Sequence, residues 1–160
     1  MTDTLKELTL SREFDAPVAQ VYKAWTDPEL VKKWWGPNGV TIPECELDLQ
    51  AGGRIYIVML AGEEMGPYKD TRWPMEGKFT TVEPNSHIAY SAKAWTEGQE
   101  SETTIEQTTD ITFDEVDGKT KVTVKAAITK AGPGAQMAIQ GMEHGFKQQM
   151  EKLAVFLQKK

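Results

Sequence analysis

The sequence predicts an α+β domain: a curved antiparallel sheet of about seven strands around a long C-terminal helix, with two short helices after the first strand. Three observations predict it. Period-two alternation of apolar and polar residues recurs between residues 5 and 130. The period changes to three or four residues from about position 135 to the end. Two helix-start signals, Asp15-Ala16-Pro17 and Asp27-Pro28-Glu29, stand directly behind the first alternating segment.

Residues 5–14 set Leu8, Leu10, Arg12 and Phe14 against Glu7, Thr9, Ser11 and Glu13, the pattern of a half-buried strand. Val18, Val21, Tyr22 and Trp25 then recur at helical spacing to about Thr26. Asp27 reads as the cap of a second short helix with Pro28 and Glu29 in its first turn, Leu30, Val31, Trp34 and Trp35 as its stripe, and Gly36-Pro37 as its end. Six further strands are expected at roughly 40–50, 53–61, 74–83, 87–96, 106–116 and 119–130. Their connections carry turn residues, of which Asp117-Gly118 is the strongest hairpin signal in the chain. Ala131-Gly132-Pro133-Gly134 breaks the last strand. Ile139, Met142, Phe146, Met150, Leu153 and Leu157 then mark one stripe of a helix of roughly 24 residues, which must lie on the sheet because neither element can bury its apolar side alone. Gly141 and Gly145 each cost that helix about 1 kcal/mol relative to Ala. They read either as sites of close approach or ligand room, or as tolerated glycines.

The 160 residues fit a single domain, spanning residues 1–160. A formal charge of -6 argues against a nucleic-acid partner, since a polyanion is repelled at long range. The longest apolar run, residues 55–61, is strand length, so no membrane span is expected. One cysteine, Cys45, excludes an internal disulfide, and no leader pattern opens the chain; a cytoplasmic location is the expectation.

Catalytic signals are sparse. His87 and His144 stand apart and Cys45 has no Cys or His neighbour, so no metal or other cofactor is expected. No nucleophile elbow, phosphate loop or dinucleotide fingerprint is present. Glu44, Arg54 and Glu76 could bring charge near an interior site, although solvated strand positions suit them better; Glu97, Glu100, Glu102 and Glu106 read as an acidic exposed rim. His144 falls about 60° off the helix stripe and reads as a flank residue.

If Ile55, Ile57 and Met59 face inward, alternation adds Ile88, Tyr90, Ala92, Ala94, Ile111, Phe113, Val122, Val124, Ala126 and Ile128. Large apolar groups beside alanines suit a filled core or a pocket of a few hundred Å³. Trp34 and Trp35, Ile57, Met59, Tyr90, Phe113, Met142 and Phe146 are the candidate lining. The long connection at 62–73 reads as a lid carrying Met65, Tyr68 and Trp73, or as an ordinary flexible loop. Tyr56, Val58 and Leu60 on the opposite face make a homodimer an alternative to a monomer.

Three stretches carry a family likeness: Arg12-Glu13-Phe14-Asp15-Ala16-Pro17, Pro28-Glu29-Leu30-Val31-Lys32-Lys33-Trp34-Trp35-Gly36-Pro37 and Asp48-Leu49-Gln50-Ala51-Gly52-Gly53-Arg54. With them the chain resembles the SRPBCC (START-like, helix-grip) superfamily, and within it the activator of heat-shock-protein-90 ATPase homologue (AHSA-type) family. Gly145-Phe146 departs from the Gly-Trp that such proteins often carry. The resemblance implies a cavity between sheet and C-terminal helix that relatives use for apolar ligands, and it does not fix an activity. The leading expectation is therefore a protein that binds a small hydrophobic or aromatic molecule without catalysis. A cavity enzyme of cyclase or hydrolase type is the alternative. A chaperone-associated stress-response role is the third reading; the likeness covers only the co-chaperone's C-terminal half, so stimulation of an ATPase is not expected.

Overall fold

A computed structural model of the chain describes residues 6–36 and 39–158; the Pro37 of the predicted helix stop lies outside them. The elements run β1 (Lys6–Phe14), α1 (Val18–Thr26), α2 (Pro28–Trp34), β2 (Val40–Leu47), β3 (Arg54–Ala61), a 3₁₀ segment (Glu63–Tyr68), β4 (Arg72–Glu83), β5 (His87–Ala94), α3 (Glu100–Thr103), β6 (Ile105–Val116), β7 (Lys119–Ala131) and α4 (Gln136–Gln158). All neighbouring strands pair antiparallel in one sheet of order β1-β7-β6-β5-β4-β3-β2. The predicted element order is present. Some details differ: β2 ends at Leu47, β4 begins at Arg72, so Trp73 is a strand residue opposite Met59, and the short helix α3 occupies part of an expected connection.

Local chemistry explains the elements. Asp27 caps α2 by accepting from Glu29 N–H at 3.0 Å, with Pro28 at the first position, where its missing N–H costs nothing. Asp117 and Gly118 both take positive φ, 53° and 79°, as a two-residue turn matched to strand twist requires. Pro43 sits on the edge strand β2 where the register slips between Thr41 and Glu44, the place in a sheet that tolerates a missing donor. At Gly77 the strands press together: a Cβ there would run into the Ser91 carbonyl oxygen and the Ala92 backbone. Only glycine lets β4 pair so closely with β5 at this position.

Alternation then sorts the two faces. Ile55, Ile57, Phe79, Ile88, Tyr90, Ile111, Phe113, Val122 and Val124 are buried on the concave side. The convex side of β2, β3 and β4 carries ion pairs: Arg72 with Glu44 at 2.6 Å, and Arg54 with Glu46 and Glu76. Glu44, Arg54 and Glu76 therefore lie away from the interior. Tyr56 and Leu60 stay half-buried and Val58 is sealed on that side, with the Arg54 guanidinium 4.4 Å from the Tyr56 ring centre, so polar groups cover the apolar residues that suggested a dimer.

Candidate functional site

The concave face is closed at one end. Trp25 packs on Trp34 and Trp35, with ring centres 4.6 and 6.0 Å away, and on Phe113 at 6.2 Å; Tyr22 meets Phe113 edge-on at 5.3 Å. Trp34 is fully buried and its indole N–H donates to the Ala24 carbonyl at 3.0 Å, so it joins α2 to α1. The C-terminal half of α4 seals the same end with Met150, Leu153 and Leu157. Arg12 ties the helix to β1 through Glu151 at 2.6 Å.

The other end differs. Along α4 toward its N-terminus, Phe146, Met142 and Ile139 are only half-buried. Met59 and Trp73, cross-strand neighbours on β3 and β4, are half-buried too. A Cβ on Gly141 or Gly145 would meet nothing within 4 Å, so neither glycine is there to let backbone approach backbone. Small side chains, Ala92 and Ala94, face this end from β5. Gln107 of β6 reaches Met75 of β4 across them, its amide nitrogen 3.3 Å from the sulfur.

Tyr90 stands between the two ends. Its ring meets Phe79 edge-on at 6.2 Å, and burial pushes its phenol up to about 12, opposed by the Thr109 hydroxyl across the strand pair. That hydroxyl is close enough to act on the phenol, yet Thr109 Oγ has no partner of full hydrogen-bond geometry among the described residues. We read the contact as a weak one. A phenol so hard to ionise is a neutral donor at pH 7, not a base.

The connection after β3 packs against the residue that leads into β2. Met65 is half-buried and would crowd a Cβ on Gly39, while Gly62 N–H donates to the Gly39 carbonyl at 2.8 Å. Tyr68 is exposed and its ring lies 6.5 Å from Trp73. The 3₁₀ segment is broken at Gly66, whose φ is 58°.

Two hydrogen-bonding side chains fix α4 to the end of α2. Gln149 Oε1 accepts from Gly36 N–H at 3.0 Å, and Lys152 Nζ donates to the carbonyls of Trp35 and Gly36 at 3.2 and 3.3 Å. Burial lowers the Lys152 pKa. Sequence reading missed this pair, since the partners are more than a hundred positions apart and a Gln and a Lys on a long helix look like surface residues.

The remaining candidates lie elsewhere. His87 is on the convex face, 2.6 Å from Asp110 and 3.6 Å from Glu83. His144 is exposed beside Gln148 at 2.9 Å, as its flank position predicted. Cys45 is a free, half-buried thiol pushed up to about 11 by burial, with Lys32 pulling weakly the other way. Among the described residues no group of three or more His, Cys, Asp or Glu is placed to hold a metal ion. No helix among them is long and apolar enough to cross a membrane. Two depressions are found among the described residues, about 460 Å³ beside Thr104, Glu106, Lys130 and Gly132, and about 220 Å³ between β1 and the C-terminal half of α4, beside Arg12, Phe14, Lys119 and Leu157. None of the expected lining residues borders either, so the candidate site is defined by the exposure gradient along α4.

A curved seven-stranded antiparallel sheet gripping a long C-terminal helix, with two short helices after the first strand, is the helix-grip fold of START-like proteins. The chain belongs to the family described as Activator of Hsp90 ATPase homolog 1-like protein, whose model matches residues 15–158. Solved structures agree on the fold. A Nitrosomonas europaea protein is 25% identical with a TM-score of 0.75, over 96% of this chain and 94% of its own. A Mycobacterium smegmatis protein is 23% identical with a TM-score of 0.76, over 100% and 94%. An AHSA1 protein of Silicibacter pomeroyi is 21% identical with a TM-score of 0.71, over 95% and 97%. No curated protein matches the sequence.

Proposed function

We propose that this protein binds a small apolar or aromatic molecule between the N-terminal half of α4 and the concave face of the sheet, without catalysing a reaction. One observation carries the reading: Met59, Trp73, Met142 and Phe146 are large apolar side chains left half-covered at one end of the interior, whereas Trp34, Met150 and Leu153 at the other end are buried. Met59, Tyr90, Met142 and Phe146 would line the site, and Trp35, Ile57 and Phe113 would form its floor. Met65, Tyr68 and Trp73 would close over it. A binder suits these residues better than an enzyme, because Glu44, Arg54 and Glu76 are engaged on the convex face and Tyr90 resists ionisation. The free thiol Cys45 suits a reducing, cytoplasmic location.

Native mass spectrometry after gentle purification tests the proposal, with a bound mass of a few hundred daltons the expected result on the usual size of such ligands. Repeated recovery of the bare chain, together with a melting temperature unmoved by a library of lipids and polyketides, would defeat it. Deleting residues 63–69 should raise both on- and off-rates for any ligand so found; unchanged rates would remove the lid. The family's description gives chaperone association as a second reading. A pull-down with the chaperone discriminates the two.

A further inference from the structure

Three polar side chains meet on the concave face of β5 and β6, and the strand register brings them together. Thr109 lies directly opposite Tyr90, and Gln107 directly opposite Ala92. Alternation puts all four on one face, with Gln107 about 7 Å along β6 from Thr109. The floor beside them is built from the smallest residues: Ala92 faces Gly77, and Ala94 follows Ala92 toward the open end. Gln107 stretches its amide over that floor to the sulfur of Met75, two strands away. Two of the three have hydrogen-bonding capacity left over. Thr109 is 2% exposed, and its hydroxyl makes only the weak contact with the Tyr90 phenol described above. A thioether only accepts, so it takes the Gln107 N–H and leaves Oε1 without a hydrogen bond among the described residues.

We infer that the molecule bound here carries a neutral hydroxyl on an apolar or aromatic body, accepting from the Thr109 hydroxyl and donating to Gln107 Oε1. The inference rests on the binding reading above and names the ligand's polar group. A hydroxyl both gives and takes a hydrogen bond. A ketone or an ether would leave Gln107 Oε1 unpaired, and a hydrocarbon would leave both groups so. The concave positions of β5 and β6 carry no charged side chain, so an ionised group would enter without a counter-charge and at a large desolvation cost.

A matched pair of probes tests it: 2-naphthol and 2-methylnaphthalene share a shape, and only the first carries the hydroxyl. Calorimetry on the full chain compares wild type with Gln107→Leu and Thr109→Val. Each substitution should weaken 2-naphthol roughly tenfold, the usual effect of one good hydrogen bond, and leave 2-methylnaphthalene as tight or tighter. Thr109→Val replaces a hydroxyl lacking a full partner with a methyl group of similar size, so the melting temperature of the empty protein should hold or rise. A fall in that temperature with 2-naphthol binding intact would assign the hydroxyl to the fold and overturn the inference. Equal changes for the two probes, or none, would overturn it as well and leave the binding site standing. If wild type bound neither probe, both readings would go together.

Discussion

Burial decides what Tyr90 and Cys45 can do. The folded chain holds the Tyr90 phenol near 12, against about 10 in an unfolded chain, so between those values the unfolded state loses its proton first. The stability tied to the neutral phenol is complete below pH 10 and declines as pH rises toward 12, by up to about 1.4 kcal/mol per unit. Urea midpoints at pH 9 and pH 11.5 should therefore fall more steeply for wild type than for Tyr90→Phe; parallel falls would mean the ring is wetter than described. With its thiol near 11 rather than 9, Cys45 should react with iodoacetamide at pH 8 roughly a hundredfold more slowly than an exposed cysteine, through its smaller thiolate fraction. Trp34 anchors the closed end through both its volume and its bond to Ala24. Trp34→Ala should cost about 3–5 kcal/mol in chemical unfolding, as for other large buried rings.

Helix α4 is buried at Met150, Leu153 and Leu157 in its C-terminal half and half-covered at Met142 and Phe146 in its N-terminal half, where both of its glycines lie. Nothing lies within 4 Å of a Cβ at Gly141, so Gly141→Ala should stabilise the protein by about 0.5–1 kcal/mol through helix propensity alone. Gly77→Ala in β4 should do the opposite and cost about 1–3 kcal/mol, because the Ser91 carbonyl would have to move. Thermal melts of the two variants should move in opposite directions. The same two glycines mark where sequence was informative. Strand alternation, the Asp117-Gly118 hairpin and the stripe from Met142 to Leu157 were all legible, because each depends on residues a few positions apart. The need for glycine at position 77 was not, since it arises from the close approach of the paired strand β5. Trp73 read as loop because Arg72, Trp73 and Pro74 carry no alternation of their own; pairing with Leu60, Met59 and Val58 makes them strand. The link from Gly36 to Gln149 and Lys152 was equally invisible, being purely tertiary.

At the scale of the whole molecule, the sheet's edges and its convex face are dressed in charge, and apolar surface is left incompletely covered at one end of the concave side. Membership of the family fixes the fold, and the ligand site we propose takes the end that the exposure gradient along α4 leaves half-covered. Xenon settles in dry apolar space without demanding any particular chemistry. Diffraction from a crystal under xenon pressure is therefore the most direct test of the account. Xenon density bounded by Met59, Tyr90, Met142 and Phe146 is the predicted result. The same space filled by the protein's own side chains, with xenon bound elsewhere or not at all, would contradict it.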